Sequence, residues 1–377
     1  MAVIRLHLPG TAGSDRHSSP ASAAPDRSYD IVCGRGVLAG IGARLAAAGV
    51  RRAVIVTDAV VAESHGRKVA DSLAAAEIQA LALTVPSGEA SKSVGEAARL
   101  WAALADHAVD RSTHVVAVGG GVVGDLAGFV AATFARGLPV WQVPTTLVAQ
   151  VDSAIGGKTG INLESGKNLV GAFWQPSGVF SDIDTLATLP RREYVSGLAE
   201  VVKYGMIFDP GFFDWLEAHA TALVGREPGP IEHAVERSAA LKAAVVECDE
   251  REITGARAAL NYGHTFAHAF ETAAGYGRLL HGEAVAIGMS CAARLAAEMG
   301  RISAEIVARQ DRLLMALGLP VNLAAAGPLD PNALLAVMAR DKKSLGGRLR
   351  FVLPSRIGAV ELVGNVDELV VRRVLAA

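Results

Sequence analysis

A glycine cluster placed directly after a buried-strand pattern constrains this chain more than any other feature. Residues 113–118 read Thr-His-Val-Val-Ala-Val, and residues 119–125 read Gly-Gly-Gly-Val-Val-Gly-Asp ahead of an apolar helical pattern. The cluster matches GxGxxG, in which glycines let the backbone approach a pyrophosphate and the next helix offers free N–H groups. The pattern therefore predicts a strand–loop–helix unit that binds a dinucleotide.

Two observations limit that prediction. Glycine clusters also serve as tight turns, and no clear acidic residue stands about 20 positions on, where an ordinary Rossmann unit holds the ribose. Asp58 and Asp125 are the candidate substitutes, so the arrangement is not a standard Rossmann unit. A second loop over residues 87–92 (SGEASK) also follows a strand pattern, and taken alone it is a helix-capping turn as readily as a binding loop.

The region from Tyr29 to about Leu189 alternates strand and helix patterns, which favours a doubly wound parallel sheet. Aromatic residues make up only 5% of a chain that is 51% hydrophobic, which also favours packed helices on a parallel sheet over an aromatic-rich sandwich. The predicted strands and helices of this region are Ala53–Thr57, Ser64–Ala76, Leu81–Val85, Val94–Ala108 and Thr113–Val118.

After Pro190 the pattern becomes mainly helical, and several segments start with Asp, Ser or Pro. The predicted helices are Glu193–Ile207, Asp209–Val224, Pro230–Glu250, Leu260–Ala274, Gly282–Met299, Ser303–Leu317, Pro331–Asp341 and Val366–Leu375, with strands near Leu349–Leu353 and Ala359–Val363. A length of 377 residues suits two domains. We expect an N-terminal extension over residues 1–28, with a short strand at Ala2–Leu8 followed by a mobile stretch over residues 10–28. An α/β domain over 29–189 and a helical domain over 190–377 should follow, with a cleft between the domains.

Charge and composition argue against several partners. The net charge of −2 does not suggest nucleic acid or an anionic membrane surface. The apolar start is short and broken by Arg5 and His7, which makes a poor signal peptide, and no apolar run is long enough to span a bilayer. Cys33, Cys248 and Cys291 show no CxxC spacing, as in a reduced protein. The expected location is the cytoplasm.

Acidic and histidine residues in the helical half are spaced as metal ligands would be. Glu200 and Lys203 lie three apart, so they share a helix face, and His264 and His268 lie four apart. His281 follows at the start of another predicted helix. One carboxylate and two imidazoles suit Zn²⁺ with an open position, although a single histidine is more often a core or capping residue. Three histidines within about 18 residues favour a site.

Basic and amide side chains cluster in a glycine-rich stretch and again before the histidine helix. A solvated surface position is the common role of any one such residue, but flanking glycines suit a pocket around an anion. A substrate with a phosphate and a carboxylate would need two such anchors. The candidates are Arg136, Asp152, Lys158, Lys167, Asn168, Lys242, Arg257 and Asn261.

Long blocks of the chain resemble the 3-dehydroquinate synthase family of sugar-phosphate cyclases. These include VAVGGGVVGDLAGFVAATFARG, VPTTLVAQVDSAIGGKTGIN, GKNLVGAFWQP, LPRREYVSGLAEVVKYG, LNYGHTFAHAFE and LHGEAVAIGM. The resemblance runs from about Tyr29 to the C-terminus. It implies an NAD-binding α/β domain followed by a helical metal-binding domain, usually in a homodimer, acting on a small sugar phosphate.

The resemblance also implies roles by position. Glu200, His264 and His281 would hold Zn²⁺ or Co²⁺, and Lys158, Lys203, His268 and Glu252 would be catalytic. The implied NAD contacts are Asp58, Glu89, Lys92, Gly120, Gly121, Val122, Val123, Gly124, Asp125, Thr145, Thr146, Lys158, Lys167, Thr185, Leu186 and Thr188. The implied substrate contacts are Arg136, Asp152, Asn168, Lys242, Arg257, Asn261 and Arg350, with Arg136 reaching across the dimer.

The reaction implied is a cyclisation of 3-deoxy-D-arabino-heptulosonate 7-phosphate through transient oxidation, phosphate elimination, re-reduction, ring opening and aldol closure. One departure concerns Glu252, which stands five residues before Arg257 where the family has four. Two alternatives stay open: a cyclase of secondary metabolism whose substrate lacks a carboxylate, and a metal-dependent polyol dehydrogenase. A catalytically silent binding module is a third, which the intact Glu and His set opposes.

Overall fold

The computed structural model describes residues 1–10, 26–275, 278–327, 329–341 and 349–376. The chain forms two compact units, Met1–Leu189 with Ser238–Arg251, and Pro190–Arg237 with Glu252–Ala377. Most of the expected mobile extension, residues 11–25, lies outside the described residues. Among the described helices, none has both the length and the hydrophobicity needed to cross a bilayer.

A seven-stranded sheet forms the centre of the first unit. Its strands are β1 (Ala2–Leu6), β2 (Tyr29–Gly34), β3 (Arg52–Asp58), β4 (Gln79–Val85), β5 (His114–Gly119), β6 (Val140–Pro144) and β9 (Gly178–Asp182). They lie in the order β1-β2-β9-β6-β5-β3-β4. All neighbours pair in parallel except β1, which pairs antiparallel with β2. The parallel α/β class predicted from the sequence is confirmed. Strands buried on both faces explain the continuous Val and Ala runs.

Four helices pack on this sheet: α1 (Ile41–Ala47), α2 (Arg67–Ala75), α3 (Val94–Asp106) and α4 (Gly121–Thr133). The helix α3 begins where the Ser93 hydroxyl accepts a hydrogen bond from Glu96 N, and it buries Leu100 and Leu104. The helix α4 is buried along most of its length and follows β5 through the glycine cluster. The strand–loop–helix unit predicted for that cluster is therefore present.

Residues 158–173, which look from the sequence like a polar glycine-rich stretch, form an antiparallel hairpin. Its strands are β7 (Lys158–Leu163) and β8 (Gly166–Phe173). A second difference concerns the helix expected over Ser64–Ala76, because a π-helical turn at Ala62–Gly66 precedes α2. Both differences bear on the candidate site, since the hairpin carries Lys158, Lys167 and Asn168.

The helix α7 (Pro228–Cys248) contributes residues to both units. Its second half groups with the first unit, where Glu247 accepts a hydrogen bond from His7 N and Lys242 forms an ion pair with Asp152. The helical pattern of residues 230–250 is uniform, so this grouping could not be predicted from it. The short strand predicted at Ala2–Leu8 is present as β1, which ends at Leu6 and pairs with β2.

The second unit is mainly helical. Its helices are α5 (Arg191–Phe208), α6 (Pro210–Val224), the first half of α7, α8 (His264–Ala274), α9 (His281–Glu298), α10 (Ala304–Ala316), α11 (Pro331–Asp341) and α12 (Glu368–Ala376), with a β10 (Arg350–Arg356) and β11 (Ala359–Gly364) hairpin. Asp209 caps α6 by accepting a hydrogen bond from Phe212 N, and Pro210 occupies the first turn. The predicted helical half is confirmed.

The prediction of a helix over Leu260–Ala274 is wrong at its start. A 3₁₀ turn at Ala256–Asn261 comes first, and α8 begins at His264 after Gly263, whose φ is +79°. A Cβ on Gly263 would lie 2.8 Å from Met289 N, so this glycine also permits close approach to α9. His264 is therefore the first residue of α8, whereas the predicted helix placed it in the second turn.

Close contact between α5 and α9 depends on Gly282. A Cβ at this position would lie 1.8 Å from Ser196 O, and Gly282 N donates a hydrogen bond to the Ser196 hydroxyl at 3.0 Å. Any side chain at residue 282 would push the start of α9 away from α5.

We expect Gly282→Ala to lower the free energy of unfolding by about 3 kcal/mol or more, because the added methyl overlaps a backbone oxygen. Urea unfolding measures this change. Gly229→Ala is the matched control, since no atom lies within 4 Å of its Cβ position, and it should alter stability by less than about 1 kcal/mol. Equal effects of the two substitutions would contradict this account of the α5–α9 contact.

Candidate active site

Glu200, His264 and His281 meet in the second unit, as the family resemblance implied. Glu200 lies on α5 and is completely buried, while the two histidines are the first residues of α8 and α9. The Glu200 Oε1 atom is 3.7 Å from His264 Nε2 and 3.4 Å from His281 Nε2. One ligand atom from each residue lies within 4.8 Å of the others.

This donor set fits a divalent transition metal. One carboxylate and two imidazoles are a known combination for catalytic zinc, and three protein ligands leave a coordination position for a substrate oxygen. The ligands come from three separate helices, so the helix packing sets their geometry. The His281 side chain is 39% exposed, so the cluster is accessible from one side.

The charges around the cluster are balanced by neighbours. Lys203 Nζ forms an ion pair with Glu200 one helical turn away, and both side chains are buried. Burial, followed by the charge of Lys203, lowers the pKa of His264 to about 3, so its ring is neutral. Burial acts to lower the pKa of His281 as well, but hydrogen bonds to Glu200 and Glu271 outweigh it and raise that pKa to about 10. A metal ion at His281 Nε2 therefore competes with a proton.

A second set of contacts holds the start of α9, where His281 stands. Glu283 accepts a hydrogen bond from Leu280 N at 2.8 Å, which caps the helix. Arg192 on α5 binds both oxygens of Glu283 at 2.7 Å and also donates to Arg278 O at 2.9 Å. These bonds tie the loop before His281 to the helix that carries Glu200.

Other residues predicted for the helical unit lie near the cluster or in separate places. The His268 ring centroid is 5.7 Å from that of His264, and the His268 side chain is exposed. Arg257 is 1% exposed, and its Nε lies 3.7 Å from Glu252 Oε1. The extra residue between Glu252 and Arg257 therefore does not prevent their contact. Asn261 is exposed, and Arg350 opens β10.

In the first unit, the glycine loop lies at the carboxyl end of β5. Gly120 caps α4 with an extended ψ of −174°, and no acidic residue stands in the first turn of α4. A Cβ at Gly121 would lie 2.9 Å from the Ser153 hydroxyl, and one at Gly124 would lie 2.8 Å from Gln142 Oε1. The glycines thus serve local packing, while the helix N-terminus offers N–H groups to an anion. The Val122 side chain is partly buried, whereas that of Val123 belongs to the core.

Lys92, Asp125 and Asn168 form a compact cluster beside this loop. Lys92 Nζ lies 2.7 Å from Asp125 Oδ2 and 2.5 Å from Asn168 Oδ1, although the three residues come from distant parts of the sequence. Burial raises the pKa of Asp125 despite the nearby Lys92 charge. Asn168 has a φ of +56°, a strained value for a residue with a side chain.

The loop over residues 87–92 lies at the carboxyl ends of β3 and β4. Asp58 Oδ1 accepts hydrogen bonds from Val60 N and the Ser87 hydroxyl, each at 2.8 Å. Glu89 Oε1 accepts a hydrogen bond from Asn162 Nδ2 at 2.7 Å. These two carboxylates are the acidic groups that could hold hydroxyls of a nucleotide at this edge.

Several threonines predicted to contact a nucleotide are engaged within the protein. Thr185 Oγ1 donates to Asp182 O at 2.7 Å and lies 3.1 Å from Gln150 Nε2. Thr188 Oγ1 donates to Thr185 O and lies 2.8 Å from His65 Nε2. Thr145 and Leu186 are buried, whereas Thr146 and Lys167 are partly buried. Sequence position alone did not reveal these internal contacts.

Candidate anion contacts of the first unit lie at three places. Lys242 forms an ion pair with Asp152 and is mostly buried, whereas Lys158 is exposed at the start of β7. Arg136 is exposed and has a φ of +69°, in a run of positive φ values from Ala135 to Gly137. Three successive residues in this region form a strained turn, which is more frequent at functional sites than elsewhere.

Comparison with known proteins identifies the family. The model of the 3-dehydroquinate synthase N-terminal domain matches residues 82–196, and that of the C-terminal domain matches residues 197–344. The chain belongs to the 3-dehydroquinate synthase family. Within the family, the 3-dehydroquinate synthase of Rhodopirellula baltica is 51% identical over 324 residues, which are 86% of each chain.

Solved structures with a similar fold include two synthases with other names. A 2-epi-5-epi-valiolone synthase from Streptomyces hygroscopicus, with NAD⁺ and Zn²⁺ bound, has a TM-score of 0.85 and 29% identity over 97% of this chain and 98% of its own. A 2-deoxy-scyllo-inosose synthase, complexed with carbaglucose-6-phosphate, NAD⁺ and Co²⁺, has a TM-score of 0.83 and 27% identity over 92% and 96%.

Glu271 was not among the residues predicted from the sequence, although it ends the LNYGHTFAHAFE block and lies next to His281 in space. Its Oε1 is 3.7 Å from His281 Nδ1. Glu271 follows His264 by seven residues and His268 by three, so all three face one side of α8. That spacing was available in the sequence and would have indicated a carboxylate beside the histidines.

We expect Zn²⁺ or Co²⁺ to stabilise the wild-type protein by about 2.7 kcal/mol at a metal concentration 100 times the dissociation constant. Glu200→Gln, His264→Ala and His281→Ala should each remove most of that increment, because each deletes one of three ligands. Thermal unfolding with and without metal measures it.

His233→Ala is the matched control, because His233 is an exposed histidine of the same unit whose ring contacts that of Trp215 at a tilt. That variant should keep the full increment. A metal-induced increment that survives in His264→Ala would place the ion elsewhere.

Proposed function

We propose that this chain catalyses the conversion of 3-deoxy-D-arabino-heptulosonate 7-phosphate to 3-dehydroquinate and phosphate. The observation that carries the proposal is the meeting of Glu200, His264 and His281 at ligand distance from one another. This cluster lies in a chain whose relatives at about half identity are 3-dehydroquinate synthases. The reaction class is a carbon–oxygen lyase that acts on a phosphate ester.

The proposal includes two cofactors. NAD binds at the glycine loop and the Lys92 cluster of the first unit, and Zn²⁺ or Co²⁺ binds at the Glu200 cluster of the second. When bound, the metal polarises substrate oxygens and the nicotinamide takes and returns one hydride, so NAD is not consumed. The support is the donor set, the free N-terminus of α4 and the contents of the two related cyclase structures.

Side chains of the chain would do the remaining work. Lys203, which is paired with Glu200, keeps that carboxylate ionised for the metal and adds positive charge beside it. His268 is exposed and close to His264, so it is placed to move a proton between substrate and solvent. Glu252, held near Arg257, is a second acid/base candidate.

Positive charges would bind the two acidic groups of the substrate. We assign Lys242, Arg257 and Asn261 to the carboxylate, and Lys158, Asn168 and Arg136 to the phosphate and the ring oxygens, with Asp152 orienting Lys242. Guanidinium and ammonium groups stabilise negative charge as it develops during elimination. Arg350 is a further anion contact at the start of β10.

A cyclase that acts on a sugar phosphate without a carboxylate is the second candidate, because two structural relatives are cyclases with other names. Their identity of 27–29% is well below the 51% of the 3-dehydroquinate synthase relative. A substrate without the carboxylate would also leave buried Arg257 and Lys242 with less compensating charge. These observations favour the heptulosonate.

The family also suggests the setting. We place the reaction in the shikimate pathway to chorismate and the aromatic amino acids, in the cytoplasm, and carried out by a homodimer. Exposed Leu169 and Phe173, on one face of the β7–β8 hairpin, support an association of two copies through this hairpin.

A single assay separates the candidate activities. With the heptulosonate phosphate, substoichiometric NAD⁺ and Zn²⁺ or Co²⁺, we expect many phosphate ions released per NAD⁺ and no net NADH, because the hydride returns to the same molecule. Phosphate release and absorbance at the NADH band are followed together.

Phosphate release only from a sugar phosphate without a carboxylate would replace the proposal by the second candidate. Stoichiometric NADH from a polyol, without phosphate release, would indicate a dehydrogenase. The Glu200→Gln protein is the matched negative control, since it removes a metal ligand and retains the volume of the side chain.

His268→Ala provides a test of one assigned role. We expect kcat to fall by about 10²-fold or more, the usual contribution of a positioned acid/base. The metal-induced stabilisation should persist, because His268 is outside the ligand set. A variant with normal kcat would remove His268 from the catalytic residues.

A further inference from the structure

His281 is contacted by a different carboxylate at each of its two ring nitrogens. Nε2 lies 3.4 Å from Glu200 Oε1, on the side of the other ligands, whereas Nδ1 lies 3.7 Å from Glu271 Oε1. An imidazole with a carboxylate at Nδ1 keeps its proton there, because Nδ1–H is the donor that the carboxylate attracts. Nε2 is then the nitrogen that gives up its proton when a metal binds.

The position of Glu271 suits this role. Its side chain is only 12% exposed, whereas the His281 side chain is 39% exposed and stands at the first residue of α9. Residues at a helix start have fewer neighbours to restrain their rotamers, so a partner on another helix restricts the ring. Glu271 lies on α8, the helix that also supplies His264. One helix therefore provides a ligand and an orienting group for a second ligand.

We propose that Glu271 is a positioning residue that accepts a hydrogen bond from Nδ1–H of His281 and directs Nε2 towards the metal. The inference rests on the metal site at Glu200, His264 and His281. Carboxylates in this outer position fix the tautomer and raise the basicity of the ligand, and their loss commonly weakens metal binding 10- to 100-fold. Glu271 itself does not touch the ion, so its effect is on affinity and ligand geometry.

The test measures the affinity of the full-length protein for Zn²⁺ by competition with a chromophoric chelator. We expect the dissociation constant of Glu271→Ala to rise about 10- to 100-fold. Glu271→Gln should show a smaller rise, because its amide oxygen still accepts the hydrogen bond but carries no charge. The absorption spectrum of bound Co²⁺ should also change in Glu271→Ala, since a reoriented His281 alters the ligand geometry.

Glu298→Gln is the matched control, because Glu298 lies on the same helix as His281 but is half exposed and faces Arg373. This variant removes one negative charge from the unit and should bind Zn²⁺ as the wild type does. A purely structural role for Glu271 would lower the stability of the metal-free protein and leave the dissociation constant unchanged.

The outcomes distinguish failure of the metal site from failure of the positioning role. Failure of the wild type to bind Zn²⁺ would remove the metal site and the proposed function together. Normal wild-type binding with unchanged affinity in both Glu271→Gln and Glu271→Ala would overturn only the positioning role. If Glu271→Ala does not fold, the near-isosteric Glu271→Gln decides the matter by its own affinity and Co²⁺ spectrum.

Discussion

A fully buried carboxylate at Glu200 is the constraint on which the second unit depends. An ionised group without water around it is stable only when positive charge and hydrogen-bond donors surround it. Lys203, on the same helix, and His281, with its raised pKa, supply that charge. Such a centre serves stability poorly compared with an apolar one, because apolar residues of similar volume often stabilise a core at least as well. The carboxylate is better explained by the ion that it can bind.

Helix packing then follows from the need to bring three ligands to one point. Glu200, His264 and His281 come from α5, α8 and α9, whose backbones approach closely at glycines. Gly282 allows α9 to meet α5, and a Cβ on Gly288 would lie 2.2 Å from Gly263 O between α8 and α9. The small residues of this region thus set the ligand geometry, and the contacts of Arg192 and Glu271 refine the position of His281.

Much of this arrangement could be predicted from the sequence. Periodicity and start residues located α5, α6 and α9. The number of histidines close together indicated a site, and the family resemblance supplied its three ligands. The sequence could not show where α8 begins, since that depends on the left-handed backbone of Gly263 packed against α9. The contact of Lys92 with Asp125 and Asn168 joins segments far apart in sequence, and the β7–β8 hairpin lacks a strong alternating pattern. Pairings of that kind come from tertiary structure.

The measurement that tests the central claim most directly is anomalous diffraction at the zinc edge from crystals grown with Zn²⁺. The account predicts one strong peak per chain, about 2.0–2.2 Å from a Glu200 oxygen and from Nε2 of both His264 and His281. A peak bound by other residues, or none at this cluster in well-ordered protein with Zn²⁺ in excess, would contradict it.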